Sequence, residues 1–213
     1  MYKKFFKRPI DIFCALAAII VFSWLYIIVA ILVRIKLGSP VIFKQERPGK
    51  DGKIFTLYKF RTMTDAKDED GNLLPDDIRL TKFGRLLRKT SLDELPEAFN
   101  ILKGDMSVVG PRPLMARYLP FYDDFEKKRH LVRPGLTGYA QSNGRNTVSW
   151  DERMQLDVYY VENLSFLMDV KIIFDTVKIV LKREGIELND IGNFDDYKRR
   201  KESELFEETT SRK

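Results

Sequence analysis

Three short stretches carry the residue types from which chemistry is built. The densest is Ser91-Leu92-Asp93-Glu94-Leu95-Pro96, where two carboxylates stand side by side. Ser91 with Glu94 three residues later also reads as a capping box, in which acids in a first helical turn are favoured by the helix dipole. Pro96 argues for a later start, because a proline is best tolerated at the first helical position. Asp93 and Glu94 then stand at a helix entrance, beside backbone donors that attract phosphate. There an ionised aspartate could attack phosphorus while an adjacent glutamate held a magnesium ion against a diphosphate. Gly110-Pro111-Arg112-Pro113 restricts one guanidinium between two prolines, an arrangement suited to a phosphate and equally to a structural ion pair. The stretch from Arg133 to Asn146 holds three glycines, two arginines and six amide or hydroxyl side chains, a composition able to hold a nucleotide or sugar and also common in surface loops. It is neither a Walker loop nor a dinucleotide fingerprint.

Composition removes other chemistries. A single Cys14 forbids an intrachain disulfide, and a single His130 cannot build a multi-histidine metal site. Carboxylates, lysines, arginines and a hard, oxygen-liking cation remain. The net charge of +6 requires an anionic partner without choosing among lipid head groups, nucleotide phosphates and nucleic acid.

The elements that must position these residues are legible in outline. Ile12 to Val33 runs without a charge, close to the ~20 residues that a membrane-crossing helix needs. It is too long for a signal-peptide core, and no small-residue cleavage site follows. Lys3, Lys4, Lys7 and Arg8 precede it and Arg34 and Lys36 follow, so both flanks read as cytoplasmic. A plain span and a re-entrant helix bent near Ser23 both fit, with a buried core helix third. Asp11, just inside the apolar boundary, needs a partner, and Lys7 or Arg8 lies one turn earlier. Val41–Phe43 and Ile54–Phe60 read as strands of a hairpin, with Pro48-Gly49 and Asp51-Gly52 as turn residues. Residues 64 to 77 read as an exposed loop. From Thr81 a basic amphipathic helix is expected, suited to an anionic membrane surface or to ordinary core packing. Phe121–Leu131 and Tyr159–Leu181 carry further helical spacing, and the charged chain from Arg183 onward reads as a loose tail. The expected fold is α+β and mainly helical: a membrane anchor over residues 1–38, a catalytic domain over 39–185 and a charged tail over 186–213.

Taken together the segments resemble the bacterial sugar transferase family, the small monotopic phosphoglycosyl transferases. The resemblance rests on KRPID (7–11), VIFKQERPG (41–49), IFTLYKFRTM (54–63), TSLDELPEAFNILKGDMSVVGPRP (90–113), RPGLTGYAQSNGRN (133–146) and DVYYVENLSFLMDVKI (157–172). It implies that Asp93 is a nucleophile toward the sugar-bearing phosphorus of a UDP-sugar, that Glu94 binds Mg2+, and that undecaprenyl (polyprenol) phosphate collects the phosphosugar. It further implies phosphate contacts for Lys59, Arg88, Arg112, Arg133 and Arg145, nucleotide or sugar contacts for Gln141 and Asn143, and for Asp157 either the orientation of an arginine or assistance to the metal. The implied location is the cytoplasmic face of the bacterial cell membrane, among anionic lipids and without nucleic acid. One departure stands out: the family usually has Ser-Pro at the bend of its re-entrant helix, where this chain has Ser23-Trp24. Because UDP-sugars are cytoplasmic, the resemblance favours re-entry over a span.

Two other readings compete. In one, a membrane-tethered protein binds anionic lipid or nucleic acid through basics interleaved with aromatics, as at Phe55 to Arg61, and Asp93 and Glu94 only cap a helix. In the other, an aspartyl-phosphate phosphatase uses water as acceptor.

Overall fold

A computed structural model describes residues 1–143, 149–182, 197, 199 and 201–203. After a π-helical turn at Tyr2–Phe6, the apolar block forms α1 (Lys7–Val21) and α2 (Ser23–Leu37). The two helices meet at a 65° bend, and only as this bent pair do they reach the length and apolarity of a membrane segment; no single helix among the described residues does. The break falls at Phe22 (φ −98°, ψ 12°), without proline. It is not made by Ser23, whose side chain forms no hydrogen bond among the described residues and which opens α2. Outward-facing Phe13, Ile20, Trp24, Ile27 and Ile35 are all more than half exposed, an apolar surface that water alone would penalise.

The other face of the pair is built into the protein. Ala15 of α1 packs with Leu57, Ala98, Ile101 and Met106, while Val29, Val33 and Leu37 of α2 pack with Phe60 and Leu87. Asp11 finds its partners in the body rather than one turn back: its Oδ1 accepts from the Ser107 hydroxyl and the Val108 amide, each at 2.9 Å. Lys7 instead pairs with Asp169 at 2.6 Å.

The hairpin is longer than expected, β1 (Ile42–Pro48) against β2 (Ile54–Phe60), antiparallel in the register Ile42–Phe60 to Pro48–Ile54. A short α3 (Asp76–Arg79) interrupts the polar stretch, and α4 (Lys82–Lys89) follows with Thr81 as its side-chain cap. Next come α5 (Glu97–Lys103), β3 (Ser107–Val109), β4 (Gly135–Thr137), α6 (Tyr139–Asn143), α7 (Trp150–Asn163) and α8 (Phe166–Lys182). β3 and β4 form a small parallel pair that the sequence did not announce. Gly110 and Gly135 touch there backbone to backbone, since a Cβ on Gly135 would lie 2.0 Å from the Gly110 nitrogen.

Three expectations are corrected. Phe121–Leu131 is not an α-helix: two 3-10 segments, Ala116–Phe121 and Glu126–Leu131, occupy this region, the first containing Pro120. The single helix expected over Tyr159–Leu181 is two, broken between Asn163 and Phe166, where the Ser165 hydroxyl accepts from the Met168 amide to start α8. The tail is not wholly loose. Tyr197 is buried with Leu114, Tyr118, Tyr122, Trp150 and Met154, its hydroxyl donates to Glu126 at 2.7 Å, and Lys201 pairs with Asp123 at 2.8 Å.

Candidate active site

Asp93 and Glu94 lie on a 3-10 turn, Leu92–Glu94, between α4 and α5. The capping box does not form. Ser91 stands at φ 54° and makes no side-chain cap, a left-handed conformation that costs a non-glycine residue roughly 1 kcal/mol. Pro96 is the N-cap of α5, so both carboxylates precede the helix and Glu97 opens it.

The turn is met by β2 from one side and by the chain after β3 from the other. Lys59 reaches Glu94 Oε1 at 2.7 Å and Glu97 Oε1 at 3.2 Å, and Arg112 Nη2 reaches the same Glu94 oxygen at 2.7 Å. Burial alone would raise the Glu94 carboxyl, but the charges of Arg112 and Lys59 and their hydrogen bonds hold it far below the carboxylate range. Glu97 is pushed up to about 7 by burial and by the charge of Glu94. Asp93 is 7% exposed and accepts no hydrogen bond among the described residues. Burial and Glu94 raise its pKa, opposed by Lys59, Arg112 and Arg88. One carboxylate is thus committed to two cations while its neighbour is left uncommitted beside them.

Three carboxylates facing Lys59, Arg112 and Arg88 form a cluster in which two acids are held above their ordinary range. Burial is the first cause of both shifts, and among the described residues no group of three or more acids is spaced to hold a metal by itself; the all-oxygen donor set is nevertheless of the kind a magnesium ion takes, with one or two carboxylates and a shell completed by phosphate and water. Glu94 with Asp93 or Glu97 would hold it.

The remaining expected site residues divide. Arg88 belongs with the carboxylates: its Nε donates to Thr62 Oγ1 at 3.0 Å and its charge acts on Asp93. Asp157 lies one step behind. It takes Arg129 Nη2 at 2.7 Å, and the same nitrogen donates to the Arg112 carbonyl at 2.8 Å, so Asp157 orients an arginine that steadies the Arg112 backbone. Arg133 sits at the other end of α5, donating from Nε to the Gly104 carbonyl at 2.8 Å, beside Arg8, which caps the Ile101 and Leu102 carbonyls. Gln141 and Asn143 lie on α6 and make no hydrogen bond to the acidic turn. Gln141 Oε1 is buried without a partner, whereas Asn143 donates back to the Tyr139 carbonyl at 3.0 Å. Arg145 lies outside the described residues.

Several residues that build this site were not singled out by the sequence. Glu97 was within sight, three residues after Glu94 and hence one turn on. Asn100 is fully buried and clips α5 to β2, accepting from the Tyr58 amide at 3.0 Å and donating to the Thr56 carbonyl at 2.7 Å, which sets the height of Lys59. Arg129 had no signal, being one basic residue in the run Lys127-Lys128-Arg129.

The sequence model of the family described as bacterial sugar transferase matches residues 2–183. An uncharacterised sugar transferase of Bacillus subtilis (strain 168) is 56% identical over 181 residues, covering 85% of this chain and 90% of that protein. An undecaprenyl-phosphate galactose phosphotransferase of Salmonella typhimurium is 41% identical over 199 residues, covering 85% of this chain and 42% of that protein. A UDP-N-acetylgalactosamine-undecaprenyl-phosphate N-acetylgalactosaminephosphotransferase of Aeromonas hydrophila is 40% identical over 189 residues, covering 85% of this chain and 45% of that protein. The chain therefore spans less than half the length of the latter two.

Proposed function

We propose that this chain, which belongs to the bacterial sugar transferase family and is a transferase, moves a sugar 1-phosphate from a UDP-sugar to undecaprenyl phosphate by way of a covalent aspartyl phosphosugar. The observation that carries the reading is the division between Asp93 and Glu94: the first is buried and accepts no hydrogen bond among the described residues, the second is held by Lys59 and Arg112.

An Asp93 carboxylate oxygen attacks the sugar-bearing phosphorus in line with the bridging oxygen, and the bond to that oxygen breaks with its electron pair leaving on UMP. An oxygen of polyprenyl phosphate then attacks the same phosphorus and expels the Asp93 carboxylate, giving polyprenyl diphosphate sugar. Burial helps the first step, since a carboxylate with a raised pKa is the better nucleophile and one without hydrogen bonds sheds no donor to react. Lys59, Arg88 and Arg112 surround the place where phosphate charge must gather, and Arg112 is still one-third exposed and able to turn toward it. A magnesium ion bound by Glu94 would neutralise diphosphate charge and stabilise the departing UMP.

The bent α1–α2 pair supports a re-entrant anchor, because its basic flanks Lys3, Lys4, Lys7, Arg8, Arg34 and Lys36 all belong on one side of a bilayer. A cytoplasmic active site follows. Such an enzyme performs the first membrane step of glycoconjugate assembly.

The test uses detergent-solubilised protein with magnesium, polyprenyl phosphate and a panel of UDP-sugars, following UMP, with intact-mass analysis of protein quenched before acceptor is added. UMP release from the wild type, a phosphosugar adduct on Asp93 and loss of both in Asp93→Asn are expected. Release of many equivalents of UMP per enzyme without lipid phosphate would favour the phosphatase, whereas the transferase stops after about one equivalent, and turnover without any adduct on Asp93 would remove the covalent step.

A further inference from the structure

The surface of α2 beyond the bend is apolar and outward-facing: Trp24 is 57% exposed, Ile27 62% and Ile28 45%. Tyr26 lies on the opposite, inward side with Leu25 and Val29, one turn after Phe22, whose carbonyl accepts the Tyr26 amide at 3.0 Å. Its ring lies 6.2 Å from that of Phe60 and 5.8 Å from that of Phe99. Phenylalanine would fill that place as well, so packing does not account for the hydroxyl. The hydroxyl donates to the Leu95 carbonyl at 2.5 Å.

Leu95 directly follows Asp93 and Glu94 and closes their turn, its amide donating to the Leu92 carbonyl at 3.4 Å. Leu92 and Leu95 pack on the cluster of Val29, Val33 and Phe60. Ser91 enters the turn in a left-handed conformation, and Pro96 leaves it without an amide to donate. Within, the turn is held by two long bonds, the Glu94 amide to the Ser91 carbonyl at 3.2 Å and the Leu95 amide to the Leu92 carbonyl, and the Ala98 amide of α5 reaches the Leu95 carbonyl at 3.1 Å. The Tyr26 hydroxyl supplies an external one from the apolar pair.

We propose that Tyr26 is a positioning residue for Asp93, tying the Leu92–Leu95 turn to the second half of the bent pair so that the bend angle sets the direction of the carboxylate. This rests on the transfer reaction proposed above, and it adds a route by which the seating of the pair in a bilayer reaches the chemistry. Tyr26 touches no substrate; it acts through the backbone of the turn.

The test compares full-length wild type, Tyr26→Phe and Tyr2→Phe in the same micelles. Tyr2→Phe is the control, since its hydroxyl bonds to Asp169 at 2.7 Å, away from the acidic turn. Three quantities are read: UMP release against donor concentration, the melting temperature, and amide hydrogen exchange of the peptide covering 90–96. For Tyr26→Phe the expectation is a kcat lower by about five- to tenfold, from one lost hydrogen bond and a misaligned nucleophile. Donor KM should stay within about twofold and melting within a few degrees, while exchange at 92–95 rises about tenfold. Tyr2→Phe should leave kcat and that exchange unchanged. If Tyr26→Phe matches the wild type in kcat and exchange, or loses kcat only in step with melting, the proposal is overturned. If the wild type itself releases no UMP, the transfer reaction fails, and the exchange at 92–95 still decides whether Tyr26 restrains the turn.

Discussion

Replacing Asp157 by asparagine keeps the shape of a side chain 3% exposed while removing the charge that faces Arg129, which is 1% exposed. Arg129 places Nε at 3.1 Å and Nη2 at 2.7 Å from a single Asp157 oxygen, and no solvent reaches either group to replace the lost partner. A buried guanidinium left unpaired costs about 3–5 kcal/mol. For a domain of this size each kcal/mol moves the melting temperature by roughly 2–4 °C, so Asp157→Asn should melt on the order of 10 °C below the wild type. The ion pair as such contributes much less, because taking two charges out of water offsets most of their attraction; burial prevails at Asp157, whose pKa is raised, while the charge of Asp157 prevails at Arg129, whose pKa is also raised. The double variant Arg129→Met/Asp157→Leu should therefore recover to within about 2 kcal/mol of the wild type, well above either single change. Thermal unfolding by circular dichroism in one detergent reads the wild type, Asp157→Asn, the single changes Arg129→Met and Asp157→Leu, and the double variant. UMP release separates structure from function: the double variant regains stability but not turnover, since the Arg112 carbonyl has lost its donor. Were Asp157→Asn to melt within a few degrees of the wild type, or the double variant below both singles, the reasoning about an unpaired buried charge would be refuted.

Other outcomes follow from single contacts. Gly84→Ala places a Cβ 1.8 Å from the Thr62 carbonyl oxygen, a backbone atom, so α4 must move; a loss of at least about 1–3 kcal/mol in chemical unfolding is expected, with lower turnover because Arg88 moves too. Lys59→Met removes one of two cations on Glu94 and the one that pairs with Glu97; kcat/KM should fall about a hundredfold or more in the UMP assay, and melting should fall as well because the buried Glu97 loses that partner. His130 is held down to about 4 by burial and by Arg129. Its neutral form is favoured in the folded state, so the associated stability is complete above about pH 6.5 and is lost as pH falls toward 4. Unfolding experiments should show a decline of about 3 kcal/mol across that window, flattened in His130→Gln. Cysteine labels placed at the two ends of the apolar pair, before Lys3 and after Lys36, should both react from the cytoplasmic side; a periplasmic label after Lys36 would replace re-entry with a span.

What the sequence made legible depended on whether a feature was local. The hairpin announced itself through alternating apolar residues and turn dipeptides, and the apolar block through length and flanking charge. The acidic turn was visible because Asp93 and Glu94 are adjacent. The resemblance named Lys59 and Arg112 as phosphate contacts, but that they share a Glu94 oxygen was not legible, since no spacing rule connects a strand, a turn and a proline-flanked loop. The helical spacing of Phe121–Leu131 misled because 3-10 turns bury residues at similar intervals, and Pro120 was the neglected sign. Tyr159–Leu181 misled for the opposite reason: both halves are true helices, and Ser165 was the unread cap between them. The tail was judged by charge, yet Tyr197 lies on the aromatic cluster and Lys201 answers Asp123 and Glu126, pairings for which composition alone has no vocabulary.

The clasp of glycines beyond β3 limits how this protein can be recombined. A Cβ on Gly110 would meet the Arg133 carbonyl at 2.4 Å, and one on Gly138 would meet the Gly110 carbonyl at 2.3 Å, so the two segments interlock through bare main chain. A chimera whose junction falls between residues 113 and 133 must inherit matching glycines from both parents, or its halves will not seat. A junction before Asp105 or after Asn143 carries the clasp whole. Swaps of donor preference among relatives should therefore succeed as transplanted blocks and stall as piecemeal exchanges.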